Sequence, residues 1–394
     1  MSSRFVNPAV AQVPPSGIRR FFDIAGTMKD AISLGVGEPD FVTPYHIRSA
    51  AIDSILDGET QYTPNRGLLS LRKEIAQYLS DRFQVSYDPE QEIMVTVGAS
   101  EAIDLALRVC LRPGDEVIVP DPGYVSYAPC VTFAGGVPVP VATKAEDEFR
   151  ITPEEIEQAV TEKTRAIIFP YPNNPTGAVM NKAQMQEIAN IAEKHDLLVI
   201  SDEIYAELTY TEDEDAQKTA FSALPGMKER TVLINGFSKA FAMTGWRLGY
   251  ACAPKEILYE MNKIHQYAIM CAPRQAQVAG MQALKKNREN GYEDVVAMRR
   301  SYDRRRRVML DAFRKMGLDC FEPRGAFYCF PSIQSTGLTS EEFCTRLLKE
   351  HKVVCVPGDA FGKSGAGHIR CCYATDMNRM LDAFKRMEAF IQSL

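Results

Sequence analysis

Lys239 leaves a short apolar run, Thr231-Val232-Leu233-Ile234, through Asn235-Gly236, and Arg247 follows beyond Gly245. The run is short, apolar and β-branched, as suits a buried strand, and Asn235-Gly236 tolerates the positive φ that ends it. A lysine leaving such a strand meets a low-dielectric pocket. Burial there lowers the ammonium pKa and frees a nucleophilic amine near neutral pH, which is what Schiff-base chemistry requires. Arg247 adds a planar donor fork matched to phosphate oxygens. An amine beside a phosphate clamp suggests pyridoxal phosphate, although a solvated strand end would carry the same two residues.

Other polar groups stand where strands end. Asp202 closes Leu198-Val199-Ile200-Ser201, and a carboxylate buried there must be paired. A protonated pyridine nitrogen would pair it; so would the backbone of a helix starting at Ile204. Pyridoxal phosphate is an electron sink only while its ring nitrogen keeps a proton, which a fixed anion such as Asp202 secures. Gly98-Ala99-Ser100-Glu101 opens a helix with apolar residues at Ile103, Leu107, Cys110 and Leu111. Its free N–H groups make either a second anion cradle or an ordinary cap. Tyr124, in the loop Pro120 to Tyr127, can stack on a flat heterocycle or pack in the core. Pro172-Asn173-Asn174-Pro175-Thr176-Gly177 reads as a turn. Arg370 interrupts the apolar strand His368 to Tyr373 and demands an anionic partner, from a substrate or from the protein.

The elements that must hold these groups alternate. Apolar strands near 93–97, 116–120, 137–142, 165–170, 197–202, 231–235 and 248–252 are separated by helical segments, the pattern of a mainly parallel α/β sheet covered on both faces. A chain of 394 residues exceeds one usual core. A large domain is therefore expected over 41–285, with a smaller α+β domain over 286–394 joined by residues 1–40. The smaller unit should hold a helix over about 290–316, short strands at Pro323–Phe330, Val353–Gly358 and His368–Tyr373, and an amphipathic helix Asn378–Ser393. The arm contains Pro8, Pro14 and Pro15 and leads into a short helix over Ile18–Ala25.

Together the strings Gly37-Glu38-Pro39-Asp40-Phe41, Asn174-Pro175-Thr176-Gly177, Ser238-Lys239, Gly245-Trp246-Arg247-Leu248-Gly249 and Pro357-Gly358-Asp359-Ala360-Phe361-Gly362-Lys363 resemble the class I/II, fold-type I aminotransferases that depend on pyridoxal 5'-phosphate. The resemblance spans nearly the whole chain and is closest to bacterial and archaeal aromatic-amino-acid aminotransferases. It implies a large domain with a seven-stranded sheet containing one antiparallel strand, and transfer of an amino group from an L-amino acid to a 2-oxo acid, such as 2-oxoglutarate, by a ping-pong route. Carried over residue by residue, it implies that Lys239 anchors the cofactor and carries the Cα proton. Asp202 would meet the pyridine nitrogen, Asn174 and Tyr205 the phenolic oxygen, and Tyr124 the ring face. Ala99, Ser100, Ser238 and Arg247 would hold the phosphate, with Tyr62 reaching the neighbouring subunit's phosphate in a homodimer. Gly37, Tyr124, Asn174 and Arg370 would bind the substrate, with Gly37 and Arg370 meeting its α-carboxylate.

Two departures qualify the resemblance. Related aspartate aminotransferases often put a lysine where Ser100 stands, so its absence points to aromatic or broad substrates. Many members place a phosphate-binding serine where Gly236 stands, leaving Ser238 to supply that contact. An aspartate aminotransferase and a carbon–sulfur β-lyase remain alternatives on the same scaffold. A regulatory domain would need a DNA-binding extension, which is not expected here.

Composition excludes other classes. A net charge of -6 disfavours nucleic acid, and no apolar run reaches the length of about 18 residues that spans a membrane. A cytoplasmic enzyme is expected, with its ten scattered cysteines reduced and mostly buried. None of five histidines falls at zinc-ligand spacing, so no metal is expected. The basic run Arg299, Arg300, Arg304, Arg305, Arg306, Arg307 reads as a solvated helix face.

Overall fold

In the computed structural model, which describes residues 4–18, 28, 30–210 and 219–394, the seven expected strands form one sheet. After a two-residue β1 (Ile32–Ser33) outside it come β2 (Ile93–Thr96), β3 (Glu116–Asp121), β4 (Val137–Ala142), β5 (Thr164–Phe169), β6 (Leu198–Asp202), β7 (Thr231–Gly236) and β8 (Gly249–Cys252). Their order is β2-β8-β7-β6-β5-β3-β4. β8 runs antiparallel to both neighbours, and the other pairs are parallel.

Burial follows from sequence. Every residue of β2, β7 and β8 is buried, as strands covered on both faces require. Alternation then sorts the side chains by face. Val117 and Val119 join Ile103, Leu107 and Leu258 in one core, whereas Ile118 joins Ile167 and Phe169 in another. β4, with the sequence Val-Pro-Val-Pro-Val-Ala, lies at a sheet edge. Proline cannot donate to a ladder, so Pro138 and Pro140 leave β4 unable to be a central strand.

The C-terminal third builds a separate core. β9 (Tyr328–Cys329), β11 (Val356–Pro357) and β12 (Ile369–Cys372) form an antiparallel sheet in the order β11-β12-β9, while β10 (Val353–Val354) pairs parallel with β1. Helices Glu293–Lys315, Ser340–His351 and Met377–Gln392 pack Met309, Phe313, Leu347, Phe384 and Phe390 beneath them. Ile32 and Leu34 belong to this core, so the start of the chain is tied to its end.

One expectation needs correction. Arg305 and Arg306 are not solvated but buried. The helix Glu293–Lys315 turns one stripe inward, and that stripe holds Met298, Tyr302, Arg305, Arg306, Met309 and Phe313. Their charges are matched: Arg305 donates to both oxygens of Asp40 at 2.8 Å, and Arg306 donates to Asp303 and Glu322, each at 2.8 Å. The short helix expected over Ile18–Ala25 lies, beyond Ile18, outside the described residues.

Candidate active site

The carboxyl ends of the parallel strands open toward one cavity of about 380 Å³, within the range of small-ligand sites. β3 leads to Tyr124, β5 to Asn174, β6 ends in Asp202, and β7 leads to Ser238 and Lys239. β2 runs into Gly98 and the helix Ala99–Cys110, which contributes Ala99 and Ser100. Because β8 is antiparallel, its beginning lies at the same edge, and Arg247 enters the cavity two residues before it. Gly37, Tyr205 and Arg370 complete the set, so all of the expected site residues except Tyr62 line this space. Tyr62 does not line it and is 78% exposed.

Backbone contacts shape the anion end. Gly98 has φ +76, and a Cβ on it would come within 2.6 Å of Arg247 Nη2. A Cβ on Gly249 would meet Gly98 C at 2.5 Å and Ala99 N at 2.6 Å, all backbone. Two glycines thus let β8 and the helix N-terminus close together, bringing a guanidinium beside free N–H groups.

The chemistry end is drier. Lys239 is partly exposed where it faces the cavity, yet burial pulls its ammonium down from 10.5 to about 8, with Arg370 and Arg247 acting in the same direction. Its Nζ donates to Gly37 O at 2.6 Å. Asp202 is 6% exposed, and burial pushes its carboxyl up. That push is opposed by Tyr127 OH, which donates to Oδ2 at 2.7 Å, by Ile204 N–H, which donates to Oδ1 at 3.2 Å, and by nearby Lys239. Tyr205 is buried, and burial raises its phenol well above 10.

Arg370 is 3% exposed and has much of its donor capacity committed. Nη1 donates to Asn174 Oδ1 at 2.8 Å and Nη2 to Gly35 O at 2.6 Å, while the buried Nε has no partner. Rings of Tyr328 and Phe361 lie 4.3 and 4.7 Å from its central carbon. A planar cation with unspent donor capacity at a cavity wall can accept a carboxylate. The donor set as a whole fits a phosphorylated pyridine aldehyde: an anion cradle, a suppressed ammonium, a buried carboxylate and a carboxylate clamp face one space.

Sequence reasoning missed Tyr127 and Tyr328. Tyr127 stood in the Tyr124 loop, and its spacing of three residues from that tyrosine was the available signal. Tyr328 offered none, because its partners come from β12 and from the turn after β6.

Comparison with known proteins places these features in context. A family model described as aminotransferase class I and II matches residues 29–386. A putative aminotransferase of Bacillus subtilis is 54% identical, with 98% of each chain covered. An aspartate aminotransferase of Pyrococcus abyssi is 48% identical, with 96% of each chain covered. The solved structure of an aromatic aminotransferase from Pyrococcus horikoshii superposes with a TM-score of 0.90 at 45% identity, covering 95% of this chain and 99% of that one.

Proposed function

Because the chain belongs to the class I and II aminotransferases, and so is an enzyme that transfers amino groups, we propose that it binds pyridoxal 5'-phosphate and moves the amino group of an aromatic or broad range of L-amino acids to a 2-oxo acid such as 2-oxoglutarate. The observation that carries this reading is the lowered Lys239 amine sharing one cavity with Asp202, Arg247 and Arg370. When bound, the cofactor supplies an electron sink for charge developing at the substrate Cα.

In this reading the lining residues divide the work, with Asn174 serving both cofactor and substrate. Ala99, Ser100, Ser238 and Arg247 hold the phosphate, and Tyr124 packs on the ring. Asp202 would keep a proton on the pyridine nitrogen, while Asn174 and Tyr205 would donate to the phenolic oxygen. Arg370, with Gly37 and Asn174, orients the substrate by its α-carboxylate. With the cofactor in place, Lys239 Nζ would be the base that takes and returns the substrate Cα proton, a role suited to its lowered pKa. The ping-pong order follows, since one site serves both the amino donor and the 2-oxo acceptor.

Substrate range is argued from charge. The cavity's cations are Lys239, Arg247 and Arg370, each already given a role, and Ile18, Val36 and Ile103 add apolar lining. Among the described lining residues, no cation remains for a second carboxylate. The 48% identity to an aspartate aminotransferase supports a second reading, preference for aspartate. Steady-state kinetics on phenylalanine and aspartate separate them, and a strong preference for aspartate overturns the first.

The reading includes a homodimer. Tyr45, Leu56, Tyr62 and Tyr267 are exposed apolar residues on segments joined by Asn65 Nδ2 donating to Met270 O at 2.8 Å and Gln275 Nε2 to Glu59 O at 2.9 Å. A second copy covering this face would bring Tyr62 toward the neighbouring phosphate. It also includes a cytoplasmic setting, consistent with ten free cysteines, and the division into 1–40, 41–285 and 286–394, supported by the shared core of Ile32, Leu34 and the C-terminal third.

The test is the visible spectrum of protein incubated with pyridoxal 5'-phosphate, before and after single L-amino acids. A visible band that is bleached by phenylalanine and restored by 2-oxoglutarate is expected. Failure to acquire a band refutes the reading, and release of ammonia and pyruvate instead identifies β-lyase chemistry.

A further inference from the structure

Tyr205 and Tyr328 share one hydrogen bond between their hydroxyls, 2.8 Å apart. Tyr205 faces the cavity from the turn after β6, and Tyr328 comes from β9 of the C-terminal sheet. Each phenol has one proton, so the direction of this bond decides whether the Tyr205 proton is spent on Tyr328 or left for the cavity.

We infer that Tyr328 is a positioning residue for Tyr205: its hydroxyl donates to the Tyr205 oxygen and turns the Tyr205 proton toward the cavity.

The position of Arg370 supports that direction. Arg370 acts on both phenols but lies directly over the Tyr328 ring at 4.3 Å, so its charge eases loss of the Tyr328 proton most and makes Tyr328 the better donor. Burial raises both phenols, so both keep their protons at neutral pH and each can donate. Tyr328 is buried but also lines the cavity, and a Cβ on Gly37 would fall 2.2 Å from its oxygen, so even one methyl would displace the hydroxyl. The charged and titratable groups that face Tyr205 are Tyr328 from β9, Arg370 and Cys372 from β12, and Lys239, whose Nζ is 5.5 Å from the Tyr205 ring centre. Tyr328 also touches both Arg370 and Tyr205, linking the carboxylate clamp to the phenol. Cooperative donation through two phenols strengthens the second bond.

The inference rests on the proposed cofactor for its readout. Tyr205 donating to the phenolic oxygen favours the deprotonated form of the lysine-bound cofactor, so weakening that donation raises the pH midpoint of its visible band. The experiment titrates that band in holoenzyme of the wild type, Tyr328→Phe, Tyr205→Phe and the double variant. Tyr328→Phe is expected to raise the midpoint by about half a pH unit and to add nothing in the Tyr205→Phe background. An unchanged or lowered midpoint overturns the inference, as does an equal rise in both backgrounds, which would assign the effect to Arg370. If Tyr328→Phe does not fold, Gly37→Ala displaces the same hydroxyl and must raise the midpoint too; no rise overturns it. A wild type without any visible band fails the cofactor reading instead, and Tyr328's role falls with it.

Discussion

Arg370 Nη1 donates to Asn174 Oδ1 at 2.8 Å, joining the C-terminal sheet to the loop after β5 across 196 residues of sequence. Nη2 is held by Gly35 O at 2.6 Å, and the guanidinium is therefore fixed before any substrate arrives. Lysine cannot reproduce a planar fork gripped at two points. Arg370→Lys is expected to raise KM for phenylalanine at least tenfold and Arg370→Ala about a hundredfold, roughly 3 kcal/mol for a lost charge-assisted contact. Steady-state kinetics check this, and an unchanged KM removes Arg370 from the substrate clamp.

Lys239 gives a pH prediction. A protonated amine cannot attack the cofactor aldehyde, and burial lowers Lys239 to about 8 rather than 10.5. The rate of attachment of pyridoxal 5'-phosphate to apoprotein should therefore rise with pH and reach half its maximum near 8. The sign for stability agrees: between about 8 and 10.5 the unfolded chain holds a proton the folded one lacks, so this group's penalty is full below 8 and is relieved as pH rises through that window. Lys239→Ala should abolish both the visible band and turnover, and retained turnover would sink the central assignment.

Asp202 and Tyr127 form a graded pair. Asp202→Asn should keep the cofactor bound yet lower kcat by at least about a hundredfold, since a neutral amide no longer secures the ring proton. Tyr127→Phe removes the 2.7 Å donor that opposes the upward push of burial. The Asp202 carboxyl then rises further, and the acid limb of the kcat profile should move to higher pH. A profile that does not move would separate Tyr127 from the aspartate's chemistry.

Gly249 is a packing prediction. Its added Cβ meets backbone atoms of Gly98 and Ala99 at 2.5 and 2.6 Å, which cannot swing aside as a side chain would. Gly249→Ala should cost about 1–3 kcal/mol of stability and weaken cofactor binding by widening the cradle. Thermal melting reads the first. Quenching of Trp246, the single tryptophan and the neighbour of Arg247, reads the second.

The exposed face carrying Leu56, Tyr62 and Tyr267 predicts assembly. Leu56→Glu with Tyr267→Glu should convert a dimer into monomers in sedimentation velocity, with loss of activity if Tyr62 serves the other copy. Tyr62→Phe should leave the dimer intact and weaken cofactor affinity several-fold. A wild-type monomer with full activity would contradict the proposed assembly.

The seven strands and eleven of the twenty cavity-lining residues were legible in the sequence. The reason is local: a buried strand must be apolar, so Asp202 or Lys239 at its end stands out against it, and the proline-bearing β4 declares itself an edge. The pairing of those ends was not local. Tyr328 meets Tyr205 across 123 residues of sequence, and Tyr127 meets Asp202 across 75, with nothing at either position to mark the partner. Arg305 and Arg306 read as solvated because charge alone was counted; the inward stripe of a 23-residue helix and the carboxylates of Asp40, Asp303 and Glu322 decide otherwise. What the chain carries locally is which residues can do chemistry. Which protons and charges meet is fixed only when strands distant in sequence pack, because hydrogen bonds and burial depend on separations in space.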